Sequence, residues 1–317
     1  MEYLIALVAA VLLGTGFVLQ QRAAERAPKA HFLHLSLLAD LLRKPWWLLG
    51  VATMVAGQLS SAWVIGHLEL SLAEPLLASN LIFALILAIP LSGQRVNKAE
   101  MIGALILSGG VAALSLSRST KASSVSFGSF AYWPTAAAIG LVAYGLVQVG
   151  RRRPDGQRAT LTGMGAGLIF GISDALTRRT VQILDTHPVL VLFTSWPAYC
   201  LIATGFVGML VMQSSFNAGP LHASLPAITA AEPMSGILLG VVVFGDTVSI
   251  SPAMLALRSA GIVALVAGVI MVARAPALSS LRKVPPVPRA LAPRRRGDAR
   301  ASGATTGSRP AAERPRS

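Results

Sequence analysis

The chain has 317 residues, of which 54% are hydrophobic and only 13% are charged, and its formal net charge is +14. So low a charged fraction excludes an ordinary soluble domain, in which about 25% of residues are charged. The single cysteine excludes a disulfide framework and a thiol metal site, and we expect no cofactor.

Nine stretches are long and apolar enough to cross a bilayer, which takes about 20 mostly apolar residues of helix. Their apolar runs are continuous rather than alternating, which predicts helices instead of a barrel. In chain order the stretches are Tyr3–Gln20, Trp46–Gly66, Leu70–Leu91, Met101–Leu116, Phe130–Val149, Thr160–Val181, Val189–Met212, Leu221–Phe244 and Pro252–Ala273. The predicted fold is therefore an all-α integral membrane protein.

The segment Ala30–Arg43 leaves the number of spans open. Its 14 residues would make a helix of about 21 Å, shorter than the hydrocarbon core. If this helix lies flat, there are nine spans and the N-terminus is outside; if it crosses, there are ten and both ends are inside. The first apolar stretch follows Glu2 and not a basic segment, so we interpret it as a retained helix and not a cleaved signal.

Basic loops predict the orientation, because lysine and arginine accumulate on the cytoplasmic side. The pairs Arg43/Lys44 and Arg95/Lys98 and the group 151–158 alternate so as to share one face with the basic tail. We therefore expect a plasma (inner) membrane protein with a cytoplasmic C-terminus. The tail, residues 275–317, is rich in proline, alanine and arginine and is predicted to be disordered. Attraction to anionic lipid is the favoured interpretation of its charge, and nucleic acid is not expected as a partner.

A faint internal repeat appears when the chain is shifted by 152 residues. It superposes Gly93 on Gly245, Val96 on Val248, Leu105 on Leu257 and Gly109 on Gly261. The paired glycines 93 and 245 fall on opposite predicted faces, so the halves would be inverted, as in many secondary transporters. We predict a first membrane repeat at 1–120 and a second at 127–274.

Polar side chains inside spans are the candidate site residues, because burying them in hydrocarbon is costly. Counted from the starts of their segments, Glu232 lies about 16 Å deep, Asn80 about 15 Å and Gln58 about 18 Å. These three are expected to line a midplane cavity, with Glu232 as the candidate metal ligand. Glu74 lies only about 6 Å from a helix end, where a vestibule or plain surface role is as strongly favoured as a role in transport.

Two further groups of charged residues enter the same spans. Asp174 lies about 21 Å into its segment, and Arg178 follows four residues later at the spacing of a helical ion pair. Pairing is the favoured interpretation. Arg258 lies about 9 Å inside the last span, from where it could reach outward or neutralise an acid such as Glu232.

Prolines and glycines accompany these acids. Pro75 and Pro233 follow Glu74 and Glu232 directly and could free backbone carbonyls to line a cavity. Small residues at helical spacing favour close helix packing; the relevant glycines are Gly167, Gly171, Gly236 and Gly240. The sequence has no P-loop, no Gly-x-Ser-x-Gly elbow and no His-Glu-x-x-His pair, so we do not expect an enzyme or an ATP-driven pump.

The stretch Ala231-Glu-Pro-Met-Ser-Gly-Ile-Leu-Leu-Gly-Val-Val-Val-Phe-Gly-Asp246 resembles the second repeat of the drug/metabolite transporter superfamily. Asp246 stands where that superfamily usually has glutamate. The motifs Pro45-Trp46-Trp47, Met54-Val-Ala-Gly57 and Pro75-Leu76 are similar to those of the NIPA-type magnesium transporters. Gln58 and Gln94 replace acids of the NIPA pattern, which weakens a divalent-cation site, because magnesium prefers carboxylate oxygens.

This resemblance covers the membrane region and implies a secondary transporter that works by alternating access, with magnesium or another divalent cation as substrate. A proton-coupled exporter of an organic metabolite or drug is the alternative, and a non-transporting scaffold anchored by its tail is a third. Deleting 275–317 should abolish function only for the scaffold. The expected partners are the bilayer and a small solute or cation, with a homodimer as an open alternative.

Overall fold

The computed structural model describes residues 2–67, 76–92, 97–117, 129–244 and 251–280. Within these ranges the chain forms ten α-helices, two short 3-10 helices (Lys29–His31 and Val189–Thr194) and no strand. In chain order the α-helices are α1 Glu2–Glu25, α2 Leu35–Leu42, α3 Pro45–His67, α4 Asn80–Ser92, α5 Lys98–Leu116, α6 Ser129–Arg151, α7 Asp155–Thr186, α8 Trp196–Ala218, α9 Leu221–Phe244 and α10 Pro252–Ser280.

Seven of the described helices, α1 and α5–α10, are long and apolar enough to cross a membrane. Their outward faces carry large apolar side chains that a soluble bundle would bury: Leu141 and Ile202 are each 71% exposed, and Val263 is 67% exposed. The prediction of an all-α membrane protein is confirmed at this level.

The start of α8 corrects the predicted span Val189–Met212. Residues Val189–Thr194 form a 3-10 helix, and α8 begins at Trp196 and continues to Ala218. Ser195 at its N-cap is extended, and Pro197 lies in the first turn, where a missing N–H costs no hydrogen bond. The shift brings the polar run 213–217 inside the helix.

The segment Ala30–Arg43 contains one α-helix, the eight-residue α2, which follows the 3-10 helix Lys29–His31. At about 12 Å it is too short to cross the hydrocarbon core. Leu37 and Leu41 fill the protein core from one side, and Leu35 and Leu42 remain exposed. The total of nine or ten spans stays a prediction, because 68–75 lie outside the described residues.

The C-terminal boundary also differs from the prediction. Helix α10 runs to Ser280, beyond the predicted end at Ala273, so the predicted disordered tail does not begin at 275. Residues 281–317 lie outside the described part of the chain.

Three groups of helices build the bundle: α1 packs on α3 and α4, α7 packs on α8 and α9, and α5 pairs with α10. Glycines allow the last pair to approach closely, since a Cβ on Gly110 would lie 2.9 Å from the carbonyl oxygen of Gly261. One apolar core joins the groups, with Val18, Leu85 and Phe216 among its fully buried members.

Candidate functional site

The sequence-predicted polar residues do not form one described cluster. Gln58 is exposed on α3, whereas Asn80 at the start of α4 and Glu232 within α9 are half-buried. Helix α3 makes no substantial packing contact with α9 in the described ranges, so Gln58 is not placed against Glu232. Glu74 and Pro75 lie outside the described residues.

The charged candidates are distributed differently from the sequence hypotheses. Arg258 donates hydrogen bonds to the backbone oxygen of Ser117 at 3.0 Å and to its hydroxyl at 3.4 Å, at the end of α5. These bonds link the start of α10 to the end of α5, and neutralisation of Glu232 by Arg258 stays a prediction. Asp174 is exposed and Arg178 half-buried, and their pairing stays a prediction.

The prolines do not interrupt α9, which continues through both Pro226 and Pro233. The Ser235 hydroxyl donates to the Glu232 carbonyl at 3.1 Å and also lies 3.1 Å from the Leu168 carbonyl of α7. Ser235 therefore bonds locally to the Glu232 carbonyl and links α9 to α7. Pro233 removes the donor for the carbonyl of Thr229, and a cavity lined by freed carbonyls stays a prediction.

Helix α7 meets α9 along glycines spaced four residues apart. A Cβ on Gly163 would lie 2.8 Å from the Ser224 carbonyl oxygen, and one on Gly171 would lie 2.6 Å from the Glu232 carbonyl oxygen. Gly167 lies between them in the same contact. The contacting residue numbers increase together along both helices, so α7 and α9 run parallel. On α9, Gly240 is buried, but a Cβ on Gly236 would meet open space.

Six polar side chains of the protein interior lie elsewhere, near the ends of α1 and α8. All six are fully buried, and we call them the amide seam: Gln20, Gln21, Gln213, Ser214, Ser215 and Asn217. Burying a polar group without a hydrogen bond costs free energy, so such a cluster inside an apolar bundle indicates a specific role.

Hydrogen bonds across the seam join the two helices. Gln213 Nε2 donates to Gln20 Oε1 at 2.6 Å, and Asn217 Nδ2 donates to the carbonyl oxygens of Ala24 and Ala27 at 2.8 and 3.0 Å. These contacts bring together groups almost 200 residues apart in the chain, and they satisfy carbonyls at the open C-terminus of α1.

The seam also contains acceptors with unused capacity. Gln213 Oε1 and Asn217 Oδ1 are buried and have no hydrogen-bond partner in the described part of the chain. Amide oxygens can bind a cation or a donor group of a solute. The described residues contain no group of three or more histidine, cysteine or acidic side chains that could hold a metal.

Two lysines close the seam at one end of the bundle. Lys29 Nζ donates to the carbonyl oxygens of Asn217 and Ala218 at 2.8 and 3.3 Å, and Lys44 Nζ donates to that of Ala23 at 3.0 Å. A cation at a helix C-terminus is favourable, because the last carbonyls carry partial negative charge. Burial lowers the pKa of Lys44, and the Asp40 carboxylate opposes this shift.

We call this end of the bundle the basic face; it carries Lys29, Lys44, 151–153 and Arg158. A buried acid and a histidine join two helix starts beside it. Glu100 Oε1 lies 3.6 Å from His222 Nε2, and Glu100 Oε2 accepts a hydrogen bond from the Asn97 N–H at 2.9 Å. Glu100 is only 3% exposed.

Sequence reasoning missed the seam because its members lay at or beyond predicted span ends. The predicted span stopped at Met212, which left Gln213 to Asn217 in an apparent loop. The sequence feature that could have revealed the seam is Gly219-Pro220. These two residues can end one helix and start the next, so the polar run before them can belong to the helix.

Comparison with known proteins names no function. No family model matches the chain, and no solved structure matches it. An uncharacterized protein of Corynebacterium glutamicum is 29% identical over 248 residues, which cover 77% of this chain and 84% of that protein. The match spans most of both chains.

Proposed function

We propose that the protein is a secondary transporter of the drug/metabolite type, which moves a small solute across the membrane by alternating access. The observation that carries the proposal is that the amide seam joins α1 to α8 and so closes the bundle at the basic face. The resemblance of 231–246 to the second repeat of that superfamily supports the same class.

An inverted relation between the halves supports this mechanism. Lys29 Nζ lies 3.8 Å from Asp155 Oδ2, so the end of α1 and the start of α7 meet at the basic face. Helix α1 therefore runs toward this face and α7 runs away from it. Inverted halves of this kind rock about a central site in many transporters.

The element boundaries repeat at the shift of 152 residues. Shifted by 152 residues, α3 falls on 197–219, which nearly coincides with α8 at Trp196–Ala218. Helix α2 falls on 187–194, where the 3-10 helix Val189–Thr194 lies. Packing repeats with it, because α1 packs on α3 and α4 as α7 packs on α8 and α9. On this basis α7–α10 form the second repeat, and α6, within the predicted range 127–274, connects the two.

The seam breaks this symmetry. Helix α1 packs on α8 at the basic face, but the equivalent pair, α7 and α3, makes no comparable contact within the described residues. The shift takes Gln213 to Ser61, whose buried hydroxyl has no hydrogen-bond partner in the described part of the chain. Within the described residues the seam closes the bundle at the basic face, and closure at one face at a time is the geometry of an alternating-access cycle.

The orientation inferred from the basic loops places the basic face in the cytoplasm of a plasma (inner) membrane protein. Because the seam closes that face, the described conformation would be the outward-facing state. Magnesium or another divalent cation is the proposed substrate, on the strength of the NIPA-type resemblance. Reconstituted vesicles tested with divalent cations and a pH gradient check this. Flux of an organic cation without competition by divalents would select the metabolite or drug alternative, and no flux of any solute would contradict transport.

The gate itself can be tested with a reversible crosslink. In a Cys200→Ser background, Gln20→Cys and Gln213→Cys should be joined by a short bis-methanethiosulfonate, which forms a disulfide with each cysteine thiolate and releases methanesulfinate. This crosslink should abolish flux, and reducing the disulfides with dithiothreitol should restore it. Each single cysteine treated alike serves as the control. Undiminished flux in the crosslinked protein would contradict opening between α1 and α8.

Glu232 is the proposed ion- or proton-responsive group, because a carboxylate within a span needs a compensating partner. Glu232→Gln should remove the pH dependence of flux, with Asp185→Asn on the exposed end of α7 as the control. An unchanged rate and pH profile would exclude Glu232 from the mechanism.

A further inference from the structure

A long apolar groove opens on the side of the bundle. Helices α6 and α8 both pack on α7 but make no comparable contact with each other in the described ranges, and the groove lies between them. It encloses about 450 Å³, and its walls are mostly apolar, with Val147, Ile169 and Val207 among them.

Few of the residues that line the groove are polar, and the charged one, Arg151, lies at one end. Along α6 it extends over the twelve residues from Gly140 to Arg151, whose eleven helical rises span about 16 Å. This is close to half of the roughly 30 Å hydrocarbon core, and so to the depth of one leaflet. Gln148 and Arg151 line the end at the basic face, and Arg152 and Arg153 follow directly.

The wall at this end includes a residue in an unusual backbone conformation. Leu33 lines the groove and has φ 60°, and its N–H donates to the Ser214 hydroxyl of α8 at 3.1 Å. A leucine in the left-handed region is strained, so it persists here because the surrounding contacts hold it. The groove is thus a shaped site with a fixed wall.

From these features we propose that the groove binds an anionic glycerophospholipid from the leaflet at the basic face. One acyl chain lies along α6, α7 and α8, and the phosphate meets the exposed guanidinium groups of 151–153. Guanidinium pairs with phosphate by charge-assisted hydrogen bonds, and basic side chains at a membrane surface attract anionic lipid. The basic tail of this chain is a poor occupant, because its arginines would be repelled.

The proposal predicts selective labelling. The full-length protein in vesicles of phosphatidylcholine with a tenth of photoactivatable-acyl phosphatidylglycerol should crosslink at residues of 140–147 and 203–211. The same photoactivatable chain on phosphatidylcholine should label these residues several-fold less. Raising the salt concentration should narrow the difference, because surface charge interactions are screened.

Matched variants separate the two parts of the site. Ala203→Trp fills the groove and should abolish labelling there, whereas Ile202→Trp on the lipid-facing side of the same helix should not. Arg151→Gln should lower the preference for the anionic lipid about fivefold, with Arg43→Gln on the same face as the control. Arg151 is exposed at a helix end, so this variant tests the proposal even if Ala203→Trp does not fold.

Three results would overturn the proposal: equal labelling by both lipids, equal effects of Ala203→Trp and Ile202→Trp, or displacement by a neutral apolar compound with no dependence on the phosphate. Because labelling measures binding alone, its outcome is independent of whether the vesicles show flux.

Discussion

At the scale of single residues, Asn217 joins two helix ends through one side-chain amide. Its Nδ2 group satisfies the carbonyls of Ala24 and Ala27, and its position is fully buried. Sequence reasoning treats asparagine at a helix end as a turn residue, whereas here it substitutes for backbone donors that α1 lacks.

Asn217→Ala should destabilise the protein by about 2 kcal/mol, because it leaves buried acceptors without donors. The measurement is thermal unfolding in detergent, followed by helical circular dichroism. Gln157→Ala, at an exposed position near the start of α7, is the control. Equal melting temperatures for wild type and Asn217→Ala would show that the amide contributes nothing.

Glu100 offers a second test of buried polar contacts. Glu100→Ala removes the partner of His222 and the acceptor for the Asn97 N–H. Leaving a buried polar group such as the Asn97 N–H without its acceptor costs about 1–3 kcal/mol. We expect a clear loss of stability in a denaturant titration, and Asp185→Ala at an exposed site should leave the midpoint in place.

At the scale of elements, the approach of α7 to α9 depends on residues without side chains. A Cβ on Gly167 would overlap the Ile228 carbonyl oxygen and lie 2.9 Å from the Ala231 Cβ. The two helices would have to separate along their whole contact, because neighbouring glycines are equally tight.

Gly167→Ala should therefore lower the stability of the folded protein by about 1–3 kcal/mol, despite the higher helix propensity of alanine. Gly145→Ala on α6, where a Cβ meets open space, should be neutral or slightly stabilising. Thermal stability of both variants in the same detergent decides the matter. A Gly167→Ala protein as stable as Gly145→Ala would contradict tight packing.

At the scale of the whole molecule, the proposed orientation places the basic face in the cytoplasm. Cysteines introduced at Gln157 and at Asp185, in a Cys200→Ser background, lie on opposite ends of α7. In intact cells an impermeant thiol reagent should label the cysteine at 185 and should reach 157 only after the membrane is opened. The reverse labelling pattern would contradict this orientation. The seam would then close the bundle on the outside, and the described state would be the inward-facing one.

The membrane class follows from composition and continuous apolar runs, so it was predictable for every described span. The boundaries of α8 were not, because the apolar run at Val189–Thr194 reads equally well as span or connection until Trp196-Pro197 starts a helix. The predicted end at Met212 left the polar run 213–217 unexamined. Depth along each helix placed Gln58, Asn80 and Glu232 at similar heights, but it does not report which helix faces meet, and α3 and α9 make no substantial packing contact with each other in the described ranges.

The sequence by itself determined that this chain is a bundle of membrane helices, since hydrocarbon admits continuous apolar segments only as hydrogen-bonded helices. Tertiary structure alone decided which polar groups are buried together, because the contact of Gln20 with Gln213 joins segments 193 residues apart. It also decided where α6 and α8 leave a groove. Neither property is local: each depends on how helices pack, and helical periodicity reports only which face of one helix is apolar.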